Sequence, residues 1–501
     1  MKRINKIFTA GLLSILALSS CKKDELDLFP FSSIEVSQSF VSLKDAKAWD
    51  VGFYNSFRGN VYGSTMFIPD VQADQLNATL DFGNRNGNPH RWGISFLAED
   101  GALSGLWASY YSAIKNINVA IDGFEKIPTA NATEKTELDR YKGDAYLARA
   151  YYYSDLVKRY AKAYNPSSAA TDLGVPLITV YDLNDKPARA TVAQVYTQIL
   201  SDITKAKTLL TAFVGTQGSK AFTLHSALAL EARVKLETRD YAGAVVAAET
   251  VIASGTYPLV TNQTDMNAMW RTDLAREVIM QCFVSKPIEL PNVNSIYLGF
   301  IPATGKFAPD FVPSQWVIDR FENADIRKAA YFERKLLTIQ GVDYPNIWTV
   351  NKYPGNVALF TTAATNYAHA PKVFRVAELY LISAESGARA GASTEAAALT
   401  RLNTLRVSRG LPALGALSGT PLIDAIKDER FRELAFEGFR LWDLKRWNEG
   451  FTRSAPQNLN FINVGANYNT LSVPAGSDKI TWGVPTRDLT TNPNLVQNAG
   501  W

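Results

Sequence analysis

A pair of adjacent helical patterns in residues 223–257 constrains the fold of this chain more than any other feature. Apolar residues recur at every third or fourth position in 224–236 and again in 241–252, with a short turn between the two runs. Such spacing places them on one face of an α-helix. Small residues that would let the two helices approach closely are Ala232, Ala244 and Ala248. This alternation, with a period of about 34 residues, is typical of tetratricopeptide repeats.

The same periodicity extends over much of the remaining chain. Residues 103–124 and 138–156 each carry an apolar helical face, and Thr191 with Gln194 forms a capping-box pattern at the start of a further helix. Residues 375–409 look like a second pair of helices. We therefore predict a mainly α fold, in which tetratricopeptide-like helix pairs form the scaffold.

Two regions, 51–100 and 256–370, show little helical period and are rich in Gly, Pro, Asn and Trp. Long irregular segments of a compact protein often carry its function. Their aromatic content argues against disorder. No linker-like segment interrupts 46–501. We expect a single body whose irregular loops and short strands form the ligand-binding face.

The N-terminal segment has the composition of a cleaved leader. Three basic residues precede a short apolar run, and Leu-Ser-Ser stands directly before Cys21. The run is too short to span a bilayer, which takes about 20 apolar residues. We predict a signal peptide at 1–20, a lipidated Cys21 and a tether over 21–45. An ordinary secretory leader with a chance cysteine is the alternative.

Composition excludes several classes of function. The 52 basic and 48 acidic residues nearly cancel, so the chain lacks the electrostatic footprint of a nucleic-acid-binding protein. Three scattered histidines offer little for a zinc site. With Cys21 acylated, Cys282 has no disulfide partner, and its apolar surroundings predict a buried side chain. We expect neither a metal ion nor a cofactor.

Five motifs follow one another in a characteristic order. They lie at 140–151 with 174–178, at 189–203, at 375–385 with 402–406, at 430–447, and at the terminus 492–501. The most specific of them reads RFRELAFEGFRLWDLKRW, and the chain ends in NPNLVQNAGW. In this order, and behind a lipidation signal, they resemble the SusD/RagB family of nutrient-uptake lipoproteins. The departures are small: Asp488 stands where the family usually has Glu, and Ala499 and Trp501 stand where it has Pro and Tyr.

The resemblance implies a lipoprotein of the outer membrane, anchored by its lipid and exposed at the cell surface. It would capture an oligosaccharide and deliver it to a SusC-like TonB-dependent transporter, without being an enzyme. Binding of a peptide or another nutrient by the same arrangement is an alternative. A surface glycoside hydrolase is a less favoured one, and a protein that uses its repeats to hold another protein is a third.

The acidic residues in and directly before the 430–447 motif suggest a catalytic interpretation. Glu429, Glu433 and Glu437 lie four residues apart, and arginines alternate with them. Paired arginines lower a carboxyl pKa, whereas a general acid needs a raised one. We therefore interpret these residues as structural ion pairs.

The loop 70–96 is the predicted ligand site. An indole among amide, acid and guanidinium side chains suits the stacking and hydrogen bonding of sugars. The candidates in this loop are Trp92, Asn88, Arg91, Asp74 and Asp81. Aromatic candidates in the second irregular region are Trp270, Tyr297 and Trp348. For Trp92, a place in the core remains an equal alternative.

Overall fold

The structure is a computed structural model that describes residues 39–182, 184–291, 293 and 295–501. Cys21 and the predicted signal peptide lie outside the described residues. Within the described part of the chain, no helix is both long enough and apolar enough to cross a bilayer.

Helices form most of the regular structure. Those of the first half are α1 (Leu43–Asn60), α2 (Ser64–Gln72), α3 (Gly87–Arg91), α4 (Gly101–Phe124), α5 (Ala132–Tyr160), α6 (Val192–Leu209), α7 (Leu224–Glu237) and α8 (Tyr241–Ala253). Those of the second half are α9 (Gln263–Arg271), α10 (Gln315–Ile318), α11 (Ile326–Tyr331), α12 (Val376–Ala390), α13 (Glu395–Ser408), α14 (Gly419–Glu433), α15 (Arg440–Trp447) and α16 (Thr486–Thr491). The predicted mainly α fold is confirmed.

The predicted helix pairs are present and pack on one another. Helix α7 packs against α8, α8 packs against α12, and α12 packs against α13. At the first pair the small residues Ala232, Ala244 and Ala248 are fully buried. The predicted capping box also forms, since Gln194 N donates to Thr191 Oγ1 at 3.2 Å and Thr191 N donates to Gln194 Oε1 at 2.8 Å.

Short antiparallel strand pairs connect distant parts of the chain. The strands are β1 (Leu76–Ala78), β2 (Leu173–Pro176), β3 (Arg189–Thr191), β4 (Val278–Gln281), β5 (Phe300–Ile301), β6 (Lys306–Phe307), β7 (Phe311–Pro313), β8 (Phe332–Ile339), β9 (Val342–Val350), β10 (Lys372–Arg375), β11 (Phe451–Thr452) and β12 (Ser472–Val473). Strand β1 pairs with β7, β4 with β10, β2 with β3, and β11 with β12, while β5, β6, β8 and β9 form a four-stranded sheet. The pairing of β1 with β7 joins the two irregular regions.

The region 51–100 contains more helix than its sequence suggested. Helix α1 extends from Leu43 to Asn60, and α2 follows after a short turn. The buried face of α1 includes Ala46, Asp50, Phe53 and Phe57, spaced by four, three and four residues. The charged Asp50 within this face hides the apolar period, because a buried carboxylate is not expected among core residues.

A group of buried ions joins the helix pairs to the strands. This buried ion cluster consists of Arg327, Arg375, Arg409, Glu277 and Glu433, each at most 3% exposed. Glu433 accepts hydrogen bonds from all three arginines, at 2.8 Å from Arg375 Nη1, 2.9 Å from Arg409 Nε and 3.1 Å from Arg327 Nη1. Glu277 accepts from Arg375 Nη1 at 2.9 Å and from Arg409 Nη2 at 3.0 Å.

The carboxyl pKa values agree with a structural role. Burial by itself raises the pKa of Glu429, but the guanidinium groups of Arg327, Arg432 and Arg406 outweigh it and bring this pKa to about 2. The pKa of Glu433 is likewise held well below its ordinary value. The interpretation of the motif carboxylates as ion pairs is confirmed, because a general acid would need the opposite shift.

Replacing Arg409 by Met should destabilise the protein strongly. The variant leaves the buried carboxylates of Glu277 and Glu433 short of partners, which costs about 3–5 kcal/mol. We expect urea unfolding to show this loss in the free energy of unfolding. The matched control is Arg276→Met, whose 3.1 Å pair with Asp265 is 45% exposed on the arginine side, and it should cost at most about 1 kcal/mol. Equal losses for both variants would contradict an organising role of the cluster.

Candidate functional site

A polar cleft of about 680 Å³ opens between the end of α1, the loop before α3 and the first turns of α4. We call it the amide cleft. Its described lining includes four asparagines, four further polar residues and five glycines: Asn60, Asn84, Asn86, Asn88, Asp100, Ser64, Thr65, Ser109, Gly59, Gly63, Gly87, Gly101 and Gly105. Tyr62, Ala102, Leu106 and Val293 complete the described lining. Gly101 and Gly105 leave backbone exposed to a ligand, and amides and hydroxyls supply donors and acceptors.

The loop 83–88, which forms one wall of the amide cleft and carries three of its four asparagines, has an unusual backbone. Gly83, Asn84 and Asn86 have φ values of 58°, 59° and 56°. Asn adopts this left-handed region more readily than most residues. The loop therefore reverses tightly before α3 and brings the side chains of Asn84, Asn86 and Asn88 to one cleft.

Arg453 holds this wall from behind. It is 1% exposed and donates to four backbone carbonyls on the chain leading into and out of the wall. The acceptors are Val71 O at 2.9 Å, Gln72 O at 3.0 Å, Ala73 O at 2.9 Å and His90 O at 2.8 Å. Burial lowers the pKa of Arg453 to about 9. Buried backbone carbonyls need such partners, so Arg453 takes the place that secondary structure fills elsewhere.

The side chain of Arg91 joins two of the cleft amides. Its Nη1 donates to Asn84 Oδ1 at 2.6 Å and its Nη2 donates to Asn88 Oδ1 at 2.9 Å. Nη1 also reaches the hydroxyl of Tyr468 at 3.3 Å. Arg91 itself is absent from the described lining of the cleft. The expected contact of Arg91 with a ligand stays a prediction, while the structure shows a contact with the amides that line the cleft.

Acceptors are supplied by the other segments of the lining. Asp100 caps α4, where its Oδ1 accepts from Ala102 N at 3.1 Å. Asn60 donates from Nδ2 to the Tyr152 hydroxyl at 3.4 Å, and its Oδ1 has no hydrogen-bond donor among the residues that the structure describes. The hydroxyl of Tyr62 is buried without a hydrogen-bond partner among the described residues. An arrangement of free donors and acceptors around a concavity can bind a ligand rich in hydroxyl groups.

Three predicted ligand residues lie in the core instead. Trp270 and Tyr297 are each 2% exposed and pack in one apolar cluster with Phe67 and Tyr353. Asp74 is 3% exposed and forms a bidentate pair with Arg440, at 3.0 Å and 2.7 Å. The structure therefore shows these three side chains in packing and ion pairing, outside the described lining of the amide cleft. Their contact with a ligand stays a prediction.

Three other candidates are half-buried and bonded to or packed against neighbouring residues. Trp92 is half-buried, its Nε1 donates to Gln72 O at 2.9 Å, and its ring packs on Phe451 at 5.9 Å. Asp81 is half-buried and accepts from Gln340 N at 2.8 Å. Trp348 is half-buried below the guanidinium of Arg334, at 4.6 Å. None of them is among the described lining residues of the amide cleft, and their contact with a ligand stays a prediction.

Asn88 is the predicted residue that the structure does bring into the cleft. The sequence analysis assigned no role to the other polar lining residues Asn84, Asn86, Asn60 and Asp100. The asparagine-rich run 84–88 was the available signal. No local sequence pattern predicts that residues of α1 and α4 line the cleft, because these residues lie opposite the loop only in the folded chain.

A second groove of about 490 Å³ lies between α1 and α4. Its described lining is more apolar and includes Trp49, Gly52, Phe53 and Ile117. It shares no described lining residue with the amide cleft. The two concavities can therefore be tested separately.

Two family models match separate parts of the chain. The model described as "SusD family" matches residues 343–501, and the one described as "Starch-binding associating with outer membrane" matches residues 60–236. A curated relative, SusD-like protein P38 of Formosa agariphila, is 26% identical over an alignment that covers 97% of each chain.

Solved structures share the fold along nearly the whole chain. A SusD superfamily protein of Bacteroides thetaiotaomicron superposes with a TM-score of 0.78 at 24% identity, over 91% of this chain and 100% of that one. A putative sugar binding protein of Bacteroides vulgatus gives a TM-score of 0.75 at 22% identity, over 92% and 99%. A laminarin-binding SusD-like protein gives 0.67 at 21% identity, over 92% and 100%. With its helix-pair scaffold and these matches along its length, the chain belongs to the SusD/RagB family.

Proposed function

We propose that this protein captures an oligosaccharide in the amide cleft. The observation that carries the proposal is the concentration of amide and hydroxyl side chains around a concavity of about 680 Å³. Sugar hydroxyls both donate and accept hydrogen bonds, and amides offer both partners. The starch-binding description of one matching family model and the laminarin-binding structural relative support the same ligand class.

Binding without turnover fits this cleft better than hydrolysis. Glycoside hydrolysis commonly uses two carboxyl groups on either side of the scissile bond. Among the described lining residues, Asp100 supplies the sole carboxylate. Its Oδ1 is already engaged in capping α4. We therefore propose a binding protein, and incubation of candidate glycans with purified protein should release no products.

Filling the amide cleft should weaken glycan binding without unfolding the protein. Gly105 lies on α4 in the cleft lining, and a Cβ there meets nothing within 4 Å. Gly105→Gln therefore projects a long side chain into the cleft and should weaken binding by about tenfold to a hundredfold. Isothermal titration against a panel of neutral and acidic oligosaccharides measures the affinity, and thermal melting reports the fold.

The matched control is Gly52→Gln. Gly52 is also a helical glycine with open space around its Cβ, but it lines the second groove. This variant should bind as the parent does. If Gly52→Gln loses affinity while Gly105→Gln keeps it, the ligand occupies the second groove and the assignment to the amide cleft is wrong.

We further propose that the protein is anchored at the outer membrane through Cys21. The leader pattern before Cys21 and the outer-membrane wording of the matching family model support this. Cys21→Ala should move the protein from the membrane fraction to the soluble fraction and prevent incorporation of a labelled lipid precursor. Cys282→Ala is the control, since Cys282 is buried. A parent protein that carries no lipid label would refute the anchor.

Delivery of the ligand to a SusC-like TonB-dependent transporter is our proposal for the next step. Family membership supports it. An affinity tag on this protein should recover the transporter from membranes solubilised in mild detergent. The Cys21→Ala variant, expressed in the same strain, tests whether recovery depends on the anchor. Recovery of the tagged protein alone, while another lipoprotein–transporter pair in the same extract stays intact, would contradict the proposal.

A further inference from the structure

Two amide groups of the cleft are held in one orientation by a single guanidinium. Arg91 donates to the carbonyl oxygens of both Asn84 and Asn88, through different terminal nitrogens. An arginine has donors and no acceptor, so it fixes which end of each amide faces it. Each Nδ2 group then faces away from Arg91, and neither has a hydrogen-bond partner within the described part of the chain.

Gly87 lies against this arrangement. A Cβ at Gly87 would collide with Asn84 Oδ1 and would lie 2.8 Å from Arg91 Nη1. Its φ lies outside the left-handed region, so a side chain here would not strain the backbone but would push aside the ends of Asn84 and Arg91. Glycine at position 87 of α3 thus leaves room for the two hydrogen bonds that Arg91 donates to Asn84 and Asn88.

The guanidinium groups beside the cleft already have hydrogen-bond partners. Arg91 is engaged by the two amides, and Arg85, on the same loop, donates from Nε to Asp310 at 2.6 Å. No lysine or arginine is among the described lining residues, and Asp100 is the acidic one. A carboxylate or sulfate group on a sugar would meet Asp100, and no basic side chain of the described lining would offset its loss of hydration.

We propose that Arg91 is a positioning residue that presents the Nδ2 groups of Asn84 and Asn88 as paired donors, and that the cleft selects an uncharged glycan. The inference rests on the proposed function and names the ligand subclass. The donors bind hydroxyl and ring oxygens, while the carboxylate of Asp100 accepts from a hydroxyl. Hydroxyl groups of either a neutral or an acidic sugar can satisfy both, but an acidic sugar adds a negative charge beside that of Asp100.

The ligand subclass is tested with the unmodified protein. Oligosaccharides of four sugar units serve as probes: maltotetraose, laminaritetraose and cellotetraose are neutral, and tetramers of galacturonate and mannuronate are charged. We expect at least one neutral probe to bind at least about tenfold more tightly than either charged one, which corresponds to about 1.4 kcal/mol. Binding of no probe in a panel extended to other glycans counts against the proposed function. Equal or tighter binding of a charged probe overturns the inference and leaves glycan capture intact.

The positioning role of Arg91 is tested with a mutant cycle that combines its substitution with those of Asn84 and Asn88. Arg91→Ala frees both amides and should weaken binding of the best probe by about tenfold, since two hydrogen bonds lose their fixed donors. Arg91→Lys should not restore affinity, because one ammonium lacks the planar fork that holds two carbonyl oxygens. In the Asn84→Ala/Asn88→Ala background, Arg91→Ala should cause no further loss. A further loss of the same size in that background would show that Arg91 contacts the ligand itself and would overturn the positioning role.

A glycine variant gives an independent readout that keeps every polar group. Gly87→Ala displaces Asn84 Oδ1 from Arg91 and should weaken binding by several-fold. Gly93→Ala is the control on the same loop, since its Cβ meets nothing within 4 Å, and it should bind as the parent does. Parent-like affinity in both Gly87→Ala and Arg91→Ala, with unchanged melting temperatures, would also overturn the proposal.

Discussion

Glu433 accepts hydrogen bonds from three arginines that belong to three separate parts of the chain. Arg327 lies on α11, Arg375 ends β10, and Arg409 follows α13. Each is at most 3% exposed, so none of these charges can be solvated in place of its partners. A buried charge without a partner is expensive. These buried ion pairs therefore fix how the helix pairs pack against the strand-containing region. The loops that connect these elements are positioned by that packing.

The irregular parts of the chain are organised by the same physical rule. Arg453 donates to four backbone carbonyls beside the cleft wall, and Arg91 donates to two amide oxygens in it. Backbone and amide oxygens that no helix or sheet satisfies still require donors. Arginine meets this need because its five N–H groups point in fixed directions. These arginine hydrogen bonds thereby add to the backbone turns and the short α3 helix that hold the cleft wall in shape.

The aromatic residues illustrate why residue type and location are separate questions. Trp270 and Tyr297 have the side chains expected of a sugar platform, yet each is 2% exposed within an aromatic cluster. Large aromatic side chains stabilise a core by the area that they bury. The amide cleft, by contrast, is lined by asparagines, glycines and hydroxyl residues. In this protein, Trp270 and Tyr297 of the second irregular region contribute to the core, while the proposed ligand cleft is lined mainly by polar residues and glycine.

The sequence by itself determined the class of fold, the helix pairs, the ion-pair role of Glu429, Glu433 and Glu437, and the resemblance to one family. These properties depend on local periodicity and on motifs of adjacent residues, which a linear pattern preserves. Only the tertiary structure decided that Asp74 pairs with Arg440, that Arg91 faces two amides, and that Asn60 and Asp100 share a cleft with Asn88. Each of these relations joins residues whose distance in space is set by packing and not by their separation along the chain.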